Sequence, residues 1–373
     1  MPETQEKKVE YLELVYDLIF VYLIGQNNSI LHYRENGFVP VEAFFAYILC
    51  SLAVIQIWSF STFYINLYGR NSVRDHVFLF TNMYLMYHMA DGIKSGWHDS
   101  IYSFCPVWAL ILANTGAQHL IEMKNHKEAP WVLEMLKRKA FIICGEAVVV
   151  LVHMLVYSLT GVSIAYVPIL FGIIATALSG RVNMIVPVDF MHLSERAMLY
   201  VVLTFGEMII SITGYFGGGI SPSTLYFSIM AFLIVAGLFL SYEILYNRII
   251  DRERTTNGTV YMMIHMFLIL ALNNISVALE FMREEDVELL PKIMLITGSF
   301  ILYFMCLFVL GKFSEHECVF DLKFFLFVTA AGISFIFLMF LMRDNMYLNI
   351  AVSVVYVMSV FLLLYRISGR MNK

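Results

Sequence analysis

The chain has 373 residues, of which 60 % are hydrophobic and only 14 % are charged, and its mean hydropathy is +0.74. Soluble domains carry about 25 % charged residues, so this composition excludes a soluble globular protein. The formal net charge is −5, and we expect membrane lipids, but no nucleic acid, among its partners.

Apolar runs of about 20 residues recur along the whole chain, and each is long enough to cross a bilayer as a helix. We therefore predict an all-α polytopic membrane protein with about twelve transmembrane helices and no separate soluble domain. The predicted spans are residues 12–31, 43–66, 77–93, 101–121, 140–160, 163–186, 196–215, 223–247, 258–281, 293–312, 322–342 and 345–365.

The basic residues predict the orientation of these spans. Nineteen of the 24 lysines and arginines fall at the termini or beside the loops after even-numbered spans, and five fall beside the odd-numbered loops. Lysine and arginine accumulate on the cytoplasmic side of membrane proteins. This bias predicts that both termini are cytoplasmic.

Two connecting segments have recognisable local patterns. The longest, residues 122–139, ends in a Leu/Met-containing stretch beside three basic residues. That pattern is typical of a short interfacial helix, but a simple charge cluster that stops translocation is equally consistent with it. In the glycine-rich stretch 214–223, Ser221 is placed to cap the next span and Pro222 to begin it.

An internal repeat relates the two halves of the chain. The segment "LYGRNSVRD" (67–75) follows span 2, and "LYNRIIDRE" (245–253) follows span 8; both read L-Y-x-R-x-x-x-R-acid. Six spans per repeat is an even number, so the halves point the same way across the membrane. We predict two parallel six-helix repeats, residues 1–186 and 187–373.

Spans 1 and 7 carry polar trios whose members are spaced by +4 and +11 residues in both cases. The trios are Glu13, Asp17 and Asn28 in span 1, and His192, Arg196 and Glu207 in span 7. These spacings place each trio on one face of its helix. Near the predicted cytoplasmic end of each span, the stripe of span 1 is acidic and the stripe of span 7 is basic. We therefore expect Glu13 and Asp17 to face His192 and Arg196.

At these residues the sequence resembles the bacterial low-temperature-requirement protein A family. The resemblance rests on "ELVYDLIFVY" (13–22) and on "HLSERAMLYVVLTFGEM" (192–208), and it covers essentially the whole chain. Met208 stands where the family has a serine after Gly-Glu, so any role of that serine does not carry over. The resemblance implies a multi-pass protein of the bacterial inner membrane, linked by name to growth in the cold, and it implies no reaction or substrate.

Ionisable residues inside a span are candidates for a functional site. For Glu207 we favour proton or cation binding over a structural hydrogen bond. For Asp17, a structural ion pair and a functional site are equally consistent with the sequence. The polar residues near the cytoplasmic ends of the same two spans are consistent with a solvated gate or with the first turn of a helix. They are Glu13, His192, Glu195 and Arg196. Asp189 is placed to cap the helix that contains them.

A second intramembrane pair consists of Glu146 and His153. They are seven residues apart and fall on roughly the same helix face. A proton relay and a buried hydrogen-bonded pair both stay open. The isolated residues His88, Asp91, His119 and His265 are better explained by packing.

Charged residues of the repeated loop motif could form ion pairs that hold the two halves together on the cytoplasmic face and so act as a gate. They are Arg70, Arg74 and Asp75 in the first copy, and Arg248, Arg252 and Glu253 in the second. Ordinary accumulation of positive charge on that face is the other interpretation.

The favoured function is a proton- or cation-coupled transporter of a small solute, with a polar site between spans 1 and 7. An intramembrane enzyme acting on lipid or quinone through His192 and Glu207 is one alternative. A scaffold or sensor whose buried charges only specify helix pairing is another. We expect no cofactor and no metal, because the sequence has no HExxH motif and no CxxC pair. The oligomeric state is left open.

Overall fold

The described residues of the chain form an all-α fold. The structure, a computed structural model, describes residues 7–33, 35, 37–93, 97–180, 186–216, 219–284, 287–314 and 320–371. These residues contain twelve α-helices and no β-strand, only two isolated bridges. The helices are α1 (Tyr11–Asn28), α2 (Val41–Tyr68), α3 (Val73–Asp91), α4 (Trp97–Glu122), α5 (Pro130–Thr160), α6 (Tyr166–Leu178), α7 (Phe190–Thr213), α8 (Pro222–Ile244), α9 (Thr259–Arg283), α10 (Leu289–Leu310), α11 (Leu322–Leu341) and α12 (Met346–Met371).

Each predicted span overlaps one of these helices, and nine helices in the described part of the chain are long and apolar enough to cross a membrane. They are α1, α2, α5 and α7 to α12. Helix α6 has only 13 residues. The last part of its predicted span, 181–185, lies outside the described residues. The protein is therefore a multi-pass helical membrane protein, and the count of twelve crossings stays a prediction.

Side-chain caps account for where two of the helices begin. Ser72 and Asp75 form a reciprocal capping box at the start of α3. Ser221 accepts the Thr224 backbone N–H at 3.1 Å, and Pro222 is the first residue of α8. Each cap satisfies a backbone N–H that has no partner inside its helix. The predicted cap at Ser221 and Pro222 is confirmed.

Of the two interpretations of residues 122–139, a separate interfacial helix before span 5 does not fit the structure. Helix α5 runs without interruption for 31 residues, from Pro130 to Thr160, and ends at Gly161, whose φ is +70°. No Gly or Pro separates the basic stretch 137–139 from the apolar run that follows it, and its residues are good helix formers. A helix of this length spans about 46 Å, so it extends beyond a hydrocarbon core of about 30 Å.

The chain forms two compact units. The described parts of Met1–Arg34, Val39–Ala197 and Thr255–Met266 belong to the first unit. The second comprises the described parts of Glu35–Phe38, Met198–Arg254 and Phe267–Lys373. Helices α7 and α9 each begin in the first unit and continue in the second. The predicted repeats, 1–186 and 187–373, are not tested by this division.

Helix α2 forms the core of the first unit. It packs against α1, α4 and α6, and 72 % of its most apolar window is buried. Trp58 on this helix and Trp108 on α4 are fully buried. Such aromatic side chains bury large areas and dominate core packing. Because α2 is buried on nearly all sides, its polar groups need partners inside the protein, and those partners define the candidate site.

The second unit is organised by close packing of α8 on α12. A Cβ atom at Gly237 would lie only 2.7 Å from a Val357 methyl group, so glycine lets the two helices approach. The Tyr303 hydroxyl donates to the Leu238 carbonyl at 2.7 Å, which attaches α10 to α8. Phe335 on α11 stacks on Tyr356 of α12 with ring centroids 4.3 Å apart.

Candidate functional site

The acidic end of α1 faces the basic start of α7 within the first unit. Glu13 and Asp17 lie one helical turn apart on α1, and His192 and Arg196 lie one turn apart on α7. The exposed fractions are 3 % for Glu13 and 0 % for the other three residues. The predicted facing of these two pairs is confirmed. With Trp58 of α2, they form what we call the ion cluster.

Arg196 holds both carboxyl groups. Its Nη1 donates to Glu13 Oε2 at 3.0 Å, and its Nη2 donates to Asp17 Oδ1. Two buried carboxyls therefore share one guanidinium. A buried charge is tolerated only when it is paired and hydrogen-bonded, so this contact fixes α1 against α7.

Asp17 has a further partner on α2 and one unused acceptor. The Trp58 indole N–H donates to its Oδ1 at 2.9 Å. Its other oxygen, Oδ2, is buried and has no hydrogen-bond partner among the described residues. An unpaired buried carboxyl oxygen is costly, and a proton or a bound cation would relieve that cost.

Asn66 at the end of α2 fixes the proton position on His192. The Asn66 Oδ1 accepts the Asp189 backbone N–H at 3.1 Å, which sets the orientation of the amide. Its Nδ2 then lies 3.0 Å from His192 Nδ1. An amide nitrogen can only donate, so Nδ1 is the acceptor and the ring proton is on Nε2. That nitrogen lies 3.2 Å from Glu13 Oε2.

The residues before α1 and α7 complete this end of the first unit. Asp189 accepts the His192 backbone N–H at 3.0 Å and thus caps α7, as predicted. The Lys7 backbone N–H also donates to Asp189, at 3.2 Å. The Lys7 ammonium donates to the carbonyls of Ile65 and Gly69, where α2 ends. Burial lowers the pKa of Lys7 below its ordinary value.

A cavity of about 160 Å³ adjoins the ion cluster and contains the Glu13 side chain in its wall. Lys7, Arg70, Asp75 and His76 also line it, so charges of both signs surround the space. The cavity exceeds the volume that a single water needs by about tenfold. It is large enough for several waters or a small polar solute, in contact with the cluster through Glu13.

Asn66→Ala tests the connection between α2 and α7. The variant loses both hydrogen bonds to the Asp189 backbone and the bond to His192, and we expect the free energy of unfolding to fall by about 1–3 kcal/mol. Titration of the purified protein with a denaturing detergent measures this value. Asn125→Ala is the control, because Asn125 is exposed and donates only to Glu122. The control is expected to stay within about 0.5 kcal/mol of the wild type. Equal losses in the two variants would contradict the assigned role of Asn66.

The remaining candidate residues of α1 and α7 lie outside the ion cluster. Asn28 is buried, and its Oδ1 has no partner among the described residues. Glu195 is partly exposed, and none of the described contacts of the cluster involves it. Glu207 belongs to the second unit, is partly exposed and lies near Glu280. A shared role of Asp17 and Glu207 stays a prediction.

Glu146 and His153 are both fully buried on α5, and each has its own partner. Gln56 Nε2 donates to Glu146 Oε2 at 3.2 Å, whereas His153 Nδ1 accepts the Ile164 backbone N–H at 3.3 Å. Glu146 Oε1 and His153 Nε2 have no partner among the described residues. Seven residues separate the two along the helix by about 10 Å, so a relay between them needs intervening groups.

The predicted gate residues pair locally. In the first unit, Arg74 binds Glu122, and the Arg70 guanidinium lies 3.5 Å from the same carboxylate. Asp75 is engaged in the α3 capping box. In the second unit, the guanidinium groups lie over tyrosine rings, Arg248 over Tyr365 at 5.5 Å and Arg252 over Tyr246 at 5.2 Å. The exposed Glu253 donates its backbone N–H to Asp251 at 3.0 Å. A latch between the two loops stays a prediction.

Four residues that bind the candidate site residues are absent from the sequence-based predictions. Trp58, Asn66 and Gln56 lie on α2, and Glu122 ends α4. The available signal was that α2, an otherwise apolar helix, carries these polar groups along its length. Glu122 also stands out as an acid at the start of a basic segment.

The described residues contain no group of three or more His, Cys, Asp or Glu side chains that could hold a metal ion. The fold and the ion cluster together define a multi-pass α-helical membrane protein with charges buried between its helices. The chain belongs to the family of the bacterial low temperature requirement A protein (LtrA), whose profile matches residues 8–361. Neither the search of curated proteins nor that of solved structures finds a match.

Proposed function

We propose that this protein is a transporter of the bacterial inner membrane that couples a proton or a monovalent cation to the movement of a small solute. The proposal rests on the imbalance of charge in the ion cluster. Glu13 and Asp17 oppose a single arginine within the cluster, the tautomer that Asn66 selects leaves His192 neutral, and the nearby Lys7 ammonium interacts with Glu13 but not with Asp17. A proton or a cation bound at Asp17 would balance the cluster.

The position of Glu13 supports an exchange path. Its carboxylate takes part in the ion cluster and also lines the 160 Å³ cavity. A proton or cation entering the cavity can therefore reach Glu13 and, through the shared guanidinium of Arg196, alter the balance at Asp17. Release of Asp17 from Arg196 would loosen the contact between α1 and α7, which is a route from ion binding to helix movement.

The scaffold alternative also has an observation in its favour. Arg196 contacts both carboxyl groups, and a cluster that only specifies helix pairing would make these contacts too. The enzyme alternative has less support, because His192 is fully buried, its Nδ1 is engaged by Asn66, and its Nε2 lies 3.2 Å from Glu13 Oε2 inside the ion cluster.

Liposome assays with Asp17→Asn distinguish transport from scaffolding. We expect the variant to fold, since Glu13 still balances Arg196, but to lose at least about tenfold of any solute-dependent proton or cation flux. The wild type is scanned with a panel of small metabolites under an imposed proton or sodium gradient, with flux followed by an interior dye.

Glu134→Gln is the matched control, because Glu134 is an exposed carboxylate of the first unit on α5. It is expected to transport like the wild type. Full flux in the Asp17→Asn variant would refute the role of the cluster in coupling. No flux in the wild type with any solute or ion would leave the scaffold as the better explanation.

A further inference from the structure

A second cavity of the first unit is lined by residues that the proposed function does not use. It has about 30 Å³ of space for water-sized groups. Its polar wall consists of Lys139 on α5, His119 on α4, Thr176 and Ser179 in and after α6, and Thr259 on α9. By the same measure a water needs about 10–15 Å³, so the cavity holds two or three groups of that size.

Lys139 has no counter-charge in this cavity. The described part of the lining contains no carboxylate, and no hydrogen bond or ion pair joins Lys139 to another described residue. Its ammonium lies 4.8 Å from the centroid of the Phe63 ring. Lys139 is half-buried, and a cation over an aromatic face gains only about 0.5–2 kcal/mol, so an anion beside the ammonium would add to its stabilisation.

The rest of the wall is neutral and supplies a further donor. His119 Nδ1 lies 2.9 Å from the Thr115 carbonyl, so the ring proton is used there. The Ser179 hydroxyl donates to the Ala175 carbonyl at 2.8 Å. The Thr176 hydroxyl makes no hydrogen bond among the described residues and is free to donate.

We propose that this cavity binds a free monovalent anion of about the size of chloride, held by the Lys139 ammonium and the Thr176 hydroxyl. A halide fits a space of this size and would supply the missing counter-charge. Lys137 and Arg138 are exposed on the same helix and would raise the local concentration of anions. This inference is independent of the ion cluster and of transport.

Thermal unfolding in different sodium salts tests the proposal. The purified protein is heated in chloride, bromide or gluconate at equal ionic strength. We expect the wild type to melt a few degrees higher in chloride and bromide than in gluconate, with a saturating dependence on halide concentration. Lys139→Gln is expected to melt alike in all three salts, and Lys137→Gln, the matched control on the same helix, to respond like the wild type.

Lys139→Arg keeps the charge and is expected to retain the halide response, which covers the case in which Lys139→Gln does not fold. Equal melting of the wild type in all three salts would overturn the proposal, as would a full halide response in Lys139→Gln. Stabilisation through Lys139 by phosphatidylglycerol micelles, with none by halides, would also overturn it, because the ligand would then be a lipid phosphate.

Discussion

Arg196→Met is expected to lower the free energy of unfolding by about 3–5 kcal/mol, because it leaves two buried carboxyl groups without their shared partner. Glu13 and Asp17 both bind this guanidinium, and Arg196 is itself fully buried. Detergent-denaturant titration of the purified protein measures the change. A loss of this size removes a large part of the stability of a typical protein.

The control for this prediction is Arg138→Met, since Arg138 is exposed on α5. It should leave the stability within about 0.5 kcal/mol of the wild type. Combining Arg196→Met with Glu13→Gln and Asp17→Asn removes all three charges and is expected to recover most of the loss, even if the single variant does not fold. Wild-type stability in Arg196→Met would show that the ion cluster does not stabilise the contact between α1 and α7.

Gly172→Ala is expected to cost about 1–3 kcal/mol, since the added methyl group overpacks the core and displaces buried polar groups. A Cβ atom at Gly172 of α6 would lie 1.9 Å from Gln56 Nε2 and 2.0 Å from Glu146 Oε2. Both atoms are the ends of flexible side chains, so these side chains must shift, and the hydrogen bond between Gln56 and Glu146 is disturbed. The same titration reports the change in the free energy of unfolding.

Gly206→Ala is the matched control, because a Cβ atom there meets nothing within 4 Å. Alanine is the better helix former by about 0.5–1 kcal/mol, so this variant should be neutral or slightly stabilised. In a double-mutant cycle, Glu146→Ala makes room for the methyl group and should reduce the cost of Gly172→Ala. Additive losses in that cycle would contradict the assigned contact.

Local features of the site could be predicted from the sequence because they depend on helix periodicity. Residues four apart lie on one face of a helix, so Glu13 and Asp17, and likewise His192 and Arg196, are paired by spacing alone. Their opposite charges made contact between the two pairs the favoured arrangement. The caps at Asp189 and Ser221 could be predicted for the same reason, since a cap depends on residues three apart.

The partners on α2 could not be predicted in this way. Trp58 and Asp17 are 41 residues apart, and Asn66 and His192 are 126 apart. No periodicity relates positions on different helices, and an indole or an amide in an apolar run is compatible with many neighbours. Glu122 was not predicted because its partners, Arg70 and Arg74, lie in a segment that the sequence predicts to be a solvated loop. In the structure these two arginines pair with its buried carboxylate.

The sequence by itself determined the class of protein, the places of the helices and the family, because these follow from hydropathy along the chain and from local motifs. Only the tertiary structure decided which buried polar groups meet. It placed two carboxyl groups on one guanidinium, left Asp17 Oδ2 without a partner among the described residues, and gave Glu146 and His153 different partners. The reason is physical: burial obliges each polar group to find a partner, but the partner is set by how the helices pack.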